Sequence, residues 1–296
     1  MSDVPTGPEP DGLVCAFAVT RTPPDGAALA AAAGHEEGGP LRVLRAGTLS
    51  LVVQDVPAAL FGREALTERL NRPEDLERCA RAHHRGVEAA YGGGRGPVVP
   101  LPLATLYRGD DSARQALAGR EALLGTLLDR LRDRTEWAVK VHAAPAPAPA
   151  PAPGRTGDAA AAGGRSYLSR ASARQRDRQD AHGRALAAAE RVDAELRGHA
   201  VAAVRHRPQD ERLTGRSAPQ VLNAAYLVDD ADRDRFTAAL ARLTGDGRCP
   251  GVEVAASGPW IPYSFARWEE GPDGTGRDLP GPDRGTARPA APGVRA

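Results

Sequence analysis

Apolar positions along the chain come in short runs separated by turn-forming residues. LVCAFAVT (13–20) is a continuous apolar run between Gly12 and the turn-rich stretch 21–26, the pattern of a buried strand. In LRVLRAGTLSLVVQDV (41–56), Ala46-Gly47 stands between two β-rich runs. That predicts a hairpin in which Gly47 supplies the turn position with φ > 0. From about Phe61 to Tyr91 the sequence favours helix, interrupted at Asn71-Arg72-Pro73, where Pro73 suits the first turn of a second helix. Within that helix Leu76, Cys79, His83, Val87 and Ala90 recur at spacings of 3, 4, 4 and 3, which makes one core-facing stripe.

VVPLPLATLY (98–107) reads as a strand whose Pro100 and Pro102 cannot donate ladder hydrogen bonds, so it belongs at an edge or a bulge. Asp110 or Asp111 then caps a single helix running to about Asp133, with Leu117, Leu124, Leu128 and Leu131 along one face. TEWAVKVHA (135–143) closes the segment as a strand. Strand, hairpin, two helices, strand, helix, strand predicts an α+β domain with a mainly antiparallel sheet.

Residues 165–200 are helix-permissive but uneven. Ala185, Ala189, Val192, Leu196 and Ala200 form a narrow apolar stripe, whereas 169–184 is almost wholly polar and belongs in solvent or against another polar surface. A strand (201–208), a turn-rich loop, a strand (221–229), a helix (232–246) and a strand (251–260) follow. Helix, strand, strand, helix, strand is most of a ferredoxin-like split βαβ arrangement.

The tract PAPAPAPAP (145–153) excludes helix, since each proline lacks an N–H and pushes its predecessor toward extended geometry. It reads as a semi-rigid spacer reaching on the order of 30 Å. The sequence therefore divides into a disordered arm (1–12), an N-terminal α+β domain (13–143), an Ala/Pro/Gly linker (144–164), a C-terminal ferredoxin-like domain with a long N-terminal helix (165–268) and a disordered tail (269–296). Composition agrees: Gly (33) and Pro (26) make up a fifth of the 296 residues, against a usual share of about 12%. One core across the whole chain is excluded on that ground.

The net charge of +1 argues against a dedicated polyanion binder. Cys15, Cys79 and Cys249 are too few and too scattered for a disulfide framework, which predicts a reducing, cytoplasmic setting. The first twelve residues lack the basic region and apolar stretch of a secretory signal, and no apolar run is long enough to span a membrane.

Three features invite chemistry. Cys79, His83 and His84 suggest a Cys/His-dependent enzyme or a metal site, with His84 and Glu88 four apart on one helix face. Cys79 and His83 nevertheless fall on the stripe of Leu76 and Val87, and no second cluster completes a ligand set, so core packing is the expected role. The Arg-rich helix, with Arg174 and Arg178, raises nucleic-acid or regulatory binding, but Asp177 and Asp180 are interspersed and no aromatic residue follows Tyr167 to stack bases, so a solvated face is the simpler reading. GGGRG (92–96) precedes a strand instead of opening a helix, so it is a helix stop and not a phosphate loop. Three aromatics and two prolines crowd into GPWIPYSF (258–265) of an otherwise aromatic-poor chain, a composition that pins a segment onto a domain or offers an apolar contact surface.

The runs RHRPQDERLTG (205–215), VLNAAYLVD (221–229) and PGVEVAASGPWIPYSFA (250–266) resemble the carboxy-terminal half of the GvpL/GvpF family of gas vesicle proteins. VQDVPAALFG (53–62), ARAHHRGVEAA (80–90), PVVPLPLATLY (97–107) and EWAVKV (136–141) resemble its amino-terminal half, so the likeness spans about 13–268. The sequence departs from the family pattern at Pro102, where a basic residue is usual, at Cys15-Ala16-Phe17, and in its long Ala/Pro linker. The resemblance implies a non-enzymatic accessory or minor structural protein of gas vesicles, cytoplasmic and vesicle-associated. It implies two α+β domains, the second a modified ferredoxin-like fold with additional helices. Its partners would be the hydrophobic major shell protein and other accessory proteins, with no cofactor, metal, nucleic acid or small-molecule substrate. It assigns the 258–266 segment to contact between domains. Trp260, Ile261, Tyr263 and Phe265 are then the candidate partner or interdomain contacts, with Arg174 and Arg178 as a rim for acidic partners.

Overall fold

The computed structural model describes residues 12–92, 96–144, 164–208, 218–245 and 249–266. The expected arm (1–12, apart from Gly12), nearly all of the linker and the tail lie outside the described residues, as do Gly93, Gly94 and Arg95 of the glycine run. The chain divides into two compact units, the first comprising Met1–Glu136 and Pro259–Ala296, the second Trp137–Gly258.

The first unit is built on a four-stranded antiparallel sheet of β1 (Gly12–Thr20), β2 (Arg42–Ala46), β3 (Leu49–Pro57) and β4 (Val98–Tyr107), in the order β2-β3-β1-β4. The predicted hairpin forms between β2 and β3, with Gly47 at φ 58° in its turn. β1 lies in the middle of the sheet and is buried from Val14 to Thr20, which is why its sequence reads as an unbroken apolar run instead of alternating. β4 is an edge strand and bulges: its register against β1 jumps from Pro100 to Thr105 while β1 moves only from Ala18 to Ala16. Pro102 sits exposed within the bulge, so its missing N–H breaks no ladder bond.

A short helix that the sequence pattern did not reveal, α1 (Gly26–Ala31), follows β1 and is capped by Asp25, whose carboxylate accepts from the Ala27 N–H. Helices α2 (Ala58–Phe61), α3 (Arg63–Leu70) and α4 (Pro73–Tyr91) follow β3, with Pro73 at the start of α4 and Gly92 as its left-handed cap. The buried face of α4 includes Cys79, His83, Val87 and Ala90 as the periodicity predicts, and also Asp75, Ala82 and Gly86, while Leu76 is only half-buried. The single helix expected to run to Asp133 is two, α5 (Asp110–Ala118) and α6 (Glu121–Leu131). Gly119 ends the first, and all four predicted leucines are buried. Neither Asp110 nor Asp111 caps α5. Gly109 takes that place, and Asp110 instead accepts from Arg42, at 2.7 Å from Nη2.

The second unit contains β5 (Arg134–Ala143) from Trp137 onward, α7 (Gly164–Arg197), β6 (Ala202–Arg205), β7 (Gln220–Asp229), α8 (Arg233–Thr244) and β8 (Val252–Trp260) as far as Gly258. Its strands run in the order β6-β7-β5-β8. The end of β5 bonds the start of β7 and the approach to β8, through Ala143 N–H to Pro219 O and Ala144 N–H to Gly251 O, so these pairings are antiparallel, as is β6 with β7. The strand at 135–143, expected to close the N-terminal domain, thus supplies most of its length to this second sheet and completes a β-α-β-β-α-β succession. Conversely, residues from Pro259 onward group with the first unit. The physical reason is pairing: a strand's unit is set by its ladder partners, which sequence order does not give. The core of this unit joins Val139 and Val141 of β5 to Ala189, Val192 and Leu196 of α7, to Tyr226 of β7 and to Phe236 of α8.

Candidate functional site

The segment after β8 is fastened to the first unit by specific bonds. Glu136, buried on β5, accepts from the Ser264 N–H (2.7 Å) and the Ser264 hydroxyl (2.9 Å), so one carboxylate pins backbone and side chain together. The turns at Ile261–Phe265 close through Tyr263 N–H to Ile261 O and Phe265 N–H to Pro262 O. Ile261 enters the core formed by Cys15, Phe17, Val52, Val87 and Val98. Phe265 is also buried, whereas Trp260 and Tyr263 are half-buried. The Tyr263 hydroxyl shares a 3.0 Å hydrogen bond with His84 Nδ1, and Glu88 lies 3.2 Å from the other ring nitrogen of that histidine. The aromatic-rich segment therefore presents two half-exposed rings on a foundation of two buried apolar side chains.

Arg178 lies exposed on α7, where every described side chain from Ser172 to Asp180 is exposed. Arg174 is within α7 by position. Spacing along α7 puts Arg178 in line with Ala181, Ala185, Val192 and Leu196, the face that is buried toward the end of the helix.

Cys79, His83 and His84 do not converge. The Cys79 thiol is buried and raised above its ordinary pKa chiefly by that burial, the opposite of an activated nucleophile. His83 donates from Nε2 to the Leu101 carbonyl (2.9 Å), inside the β4 bulge, and stacks on Phe17. His84 faces Tyr263 instead. No cluster of three or more metal-ligating side chains occurs among the described residues. What the periodicity did not reveal is that His35, from the loop after α1, joins the same stack between Phe61 and Phe17 and lies 3.8 Å from the Cys15 sulfur. Gln54 holds that loop by accepting from the His35 N–H (2.8 Å) and donating to the His35 and Gly39 carbonyls. Gln54, polar within the otherwise largely apolar stretch LVVQDV, was the available signal.

Burial lowers the pKa of both His35 and His83 to about 4 from an ordinary value near 6.5. Each is neutral when folded, and the unfolded chain takes up its protons first. Stability is therefore complete above about pH 6.5 and declines as the pH falls toward 4, by on the order of 3 kcal/mol per histidine. Urea unfolding at about pH 7.5 and about pH 4.5 is expected to show that fall, and His83→Gln should flatten it. Equal stabilities at the two pH values would refute the neutral buried stack.

A family profile described as "Gas vesicle synthesis protein GvpL/GvpF" matches residues 14–267. The chain belongs to the GvpL/GvpF family of gas vesicle proteins. It is 41% identical over 259 residues to "Gas vesicle protein L" of Streptomyces sp. (strain CB03234), covering 86% of this chain and 93% of that protein. Two GvpF crystal structures share its fold at 14% identity. That from Anabaena sp. PCC7120 has a TM-score of 0.60 and covers 88% of this chain and 98% of its own. That from Microcystis aeruginosa has a TM-score of 0.52, with 88% and 100% covered. The α+β architecture and a gas vesicle role thus stand together, and no helix among the described residues of this GvpL/GvpF chain is long and apolar enough to cross a membrane.

Proposed function

We propose that this protein is a non-enzymatic adaptor of gas vesicle assembly, acting in the cytoplasm and at the vesicle, that holds the hydrophobic major shell protein and brings it to other accessory proteins. The observation that carries this reading is the pair of half-exposed rings, Trp260 and Tyr263, set on buried Ile261 and Phe265 and locked by Glu136. A rigid amphipathic aromatic loses little conformational entropy on contact and suits an apolar partner surface. Near-neutral overall charge puts the main force in apolar contact, while Arg174 and Arg178 on α7 serve as a cationic rim for acidic partners.

Co-expression with the major shell protein tests this. The two are expected to co-purify, deletion of the chain is expected to abolish vesicles, and Trp260→Ala, folded normally, is expected to lose the shell protein. A folded Trp260→Ala variant that retains it removes this residue from the contact surface. Vesicles of normal number in the deletion strain would remove the assembly role.

A further inference from the structure

β8 stands at one end of the second sheet and, among the described residues, is hydrogen-bonded to β5 alone. From Val252 to Gly258 it belongs to the second unit. We propose that this edge is the interface between two copies of the chain, paired antiparallel so that their second sheets join into one. The proposal goes beyond the adaptor reading and does not depend on it.

An edge strand presents unpaired N–H and C=O groups, and folded chains guard such edges with shortness, cationic side chains, proline or bulges. Three of the four sheet edges are guarded in this way. β2 has five residues, two of them Arg42 and Arg45. β4 has Pro100, Pro102 and its bulge. β6 has four residues and ends at Arg205, which is tied to Glu190 and Asp193. β8 is unlike them, with nine residues that include no lysine or arginine, and Pro259 comes only after the second unit has ended.

The direction of its backbone groups follows from one hydrogen bond. Ala144 N–H donates to Gly251 O, so the N–H of that same peptide, which belongs to Val252, points away from β5. By alternation the backbone groups of Val254 and Ala256 also face outward. Ala256 is exposed, so the edge is open to solvent there. The ligand that matches a row of alternating donors and acceptors is another extended backbone.

A second copy brings such a strand with it. Because β8 is the unguarded edge of each chain, pairing β8 with β8 uses both and closes at two copies. A two-fold axis through Ala255 sets Val254 opposite Ala256 of the second copy and Glu253 opposite Ser257, so the two glutamates do not face each other. The small side chains of Ala255 and Ala256 let the backbones approach. The chain's own remaining sequence suits the edge less, since 145–153 alternates with proline and 267–296 is rich in Gly and Pro, residues that weaken a ladder.

The test measures the molar mass of the full chain in solution by light scattering. A contact confined to one strand edge is small, so association is expected in the micromolar range, with the mass rising from 31.0 kDa toward twice that between about 1 and about 200 μM. Ala256→Lys and, separately, Ala256→Pro leave the β5 ladder intact, and each should weaken association at least about tenfold with the melting temperature unchanged. Oxidised Ala255→Cys should give a covalent dimer joined at position 255 in both copies, because a non-hydrogen-bonded antiparallel pair brings two Cα atoms to about 4.5 Å. If either substitution at 256 lowers the melting temperature, the crosslink at 255 decides alone. A monomer at about 200 μM, association indifferent to both substitutions, assemblies that grow past two copies, or a covalent bond through Cys249 in place of position 255 each overturns the proposal. So does a crosslink from position 255 to a different protein in cells that make gas vesicles, without one between copies, which assigns the edge to another occupant.

Discussion

Asp193→Ala is expected to destabilise the second unit by about 3 kcal/mol, the range for removing one partner from a buried ionic network. Asp193 is 2% exposed on α7. It accepts from the Tyr226 hydroxyl at 2.5 Å, from Arg197 at 2.8 Å and from Arg205 at 2.6 Å, and Arg205 also reaches Glu190. Burial raises the carboxyl's pKa, but these three donors outweigh it and hold Asp193 below its ordinary value. Truncation lets the half-exposed arginines return to water, whereas the Tyr226 hydroxyl, on a fully buried side chain, is left without an acceptor. Asp193→Asn keeps an acceptor for Tyr226 and should cost about half as much. Hydrogen exchange of β6, β7 and the end of α7, with urea unfolding, measures both. A loss under about 1 kcal/mol for Asp193→Ala would mean that the network contributes no net stability.

Gly86→Ala should cost the first unit about 2 kcal/mol despite alanine's better helix propensity, which by itself favours the change by about 1 kcal/mol. A Cβ at Gly86 would lie 2.3 Å from Phe17 Cδ1. The Phe17 ring is fully buried and stacked between His35 and His83, so it has no vacant direction in which to move. Shortening the ring relieves the clash. The double variant Phe17→Leu/Gly86→Ala is therefore expected to be more stable than the sum of the two single losses predicts, by more than about 1 kcal/mol in a double-mutant cycle. Simple additivity would show that the helix and ring are not in contact as described.

Much of the local structure was legible in the sequence. Gly47 announced the hairpin turn, Pro73 the start of α4, and the unbroken apolar run 13–20 a strand buried on both faces. The prolines of β4 signalled an edge or a bulge, and the strand is both. The Leu117–Leu131 stripe was read correctly as core, but as one helix, because a glycine within a helical pattern marks a break only when tertiary packing demands the turn. The helix after β1 escaped notice since six residues are too few to show a period.

The family followed from the sequence because it is carried by long runs in fixed order. What sequence could not supply were relations between distant positions. The 135–143 strand was assigned by its place in the chain, yet its hydrogen-bonding partners, β7 and β8, lie more than seventy residues further on. Likewise Asp193 reads as one more polar residue of a polar helix until Tyr226 arrives from 33 residues away. His35 and Ser264 are equally unremarkable before Gln54 and Glu136 bind them. Sequence by itself determined most of the elements, the apolar faces and the family, since these rest on local periodicity and on residue order. Only the tertiary structure decided which polar side chains are buried and paired, because the cost of burying a donor or carboxylate is met by whatever the fold brings alongside it.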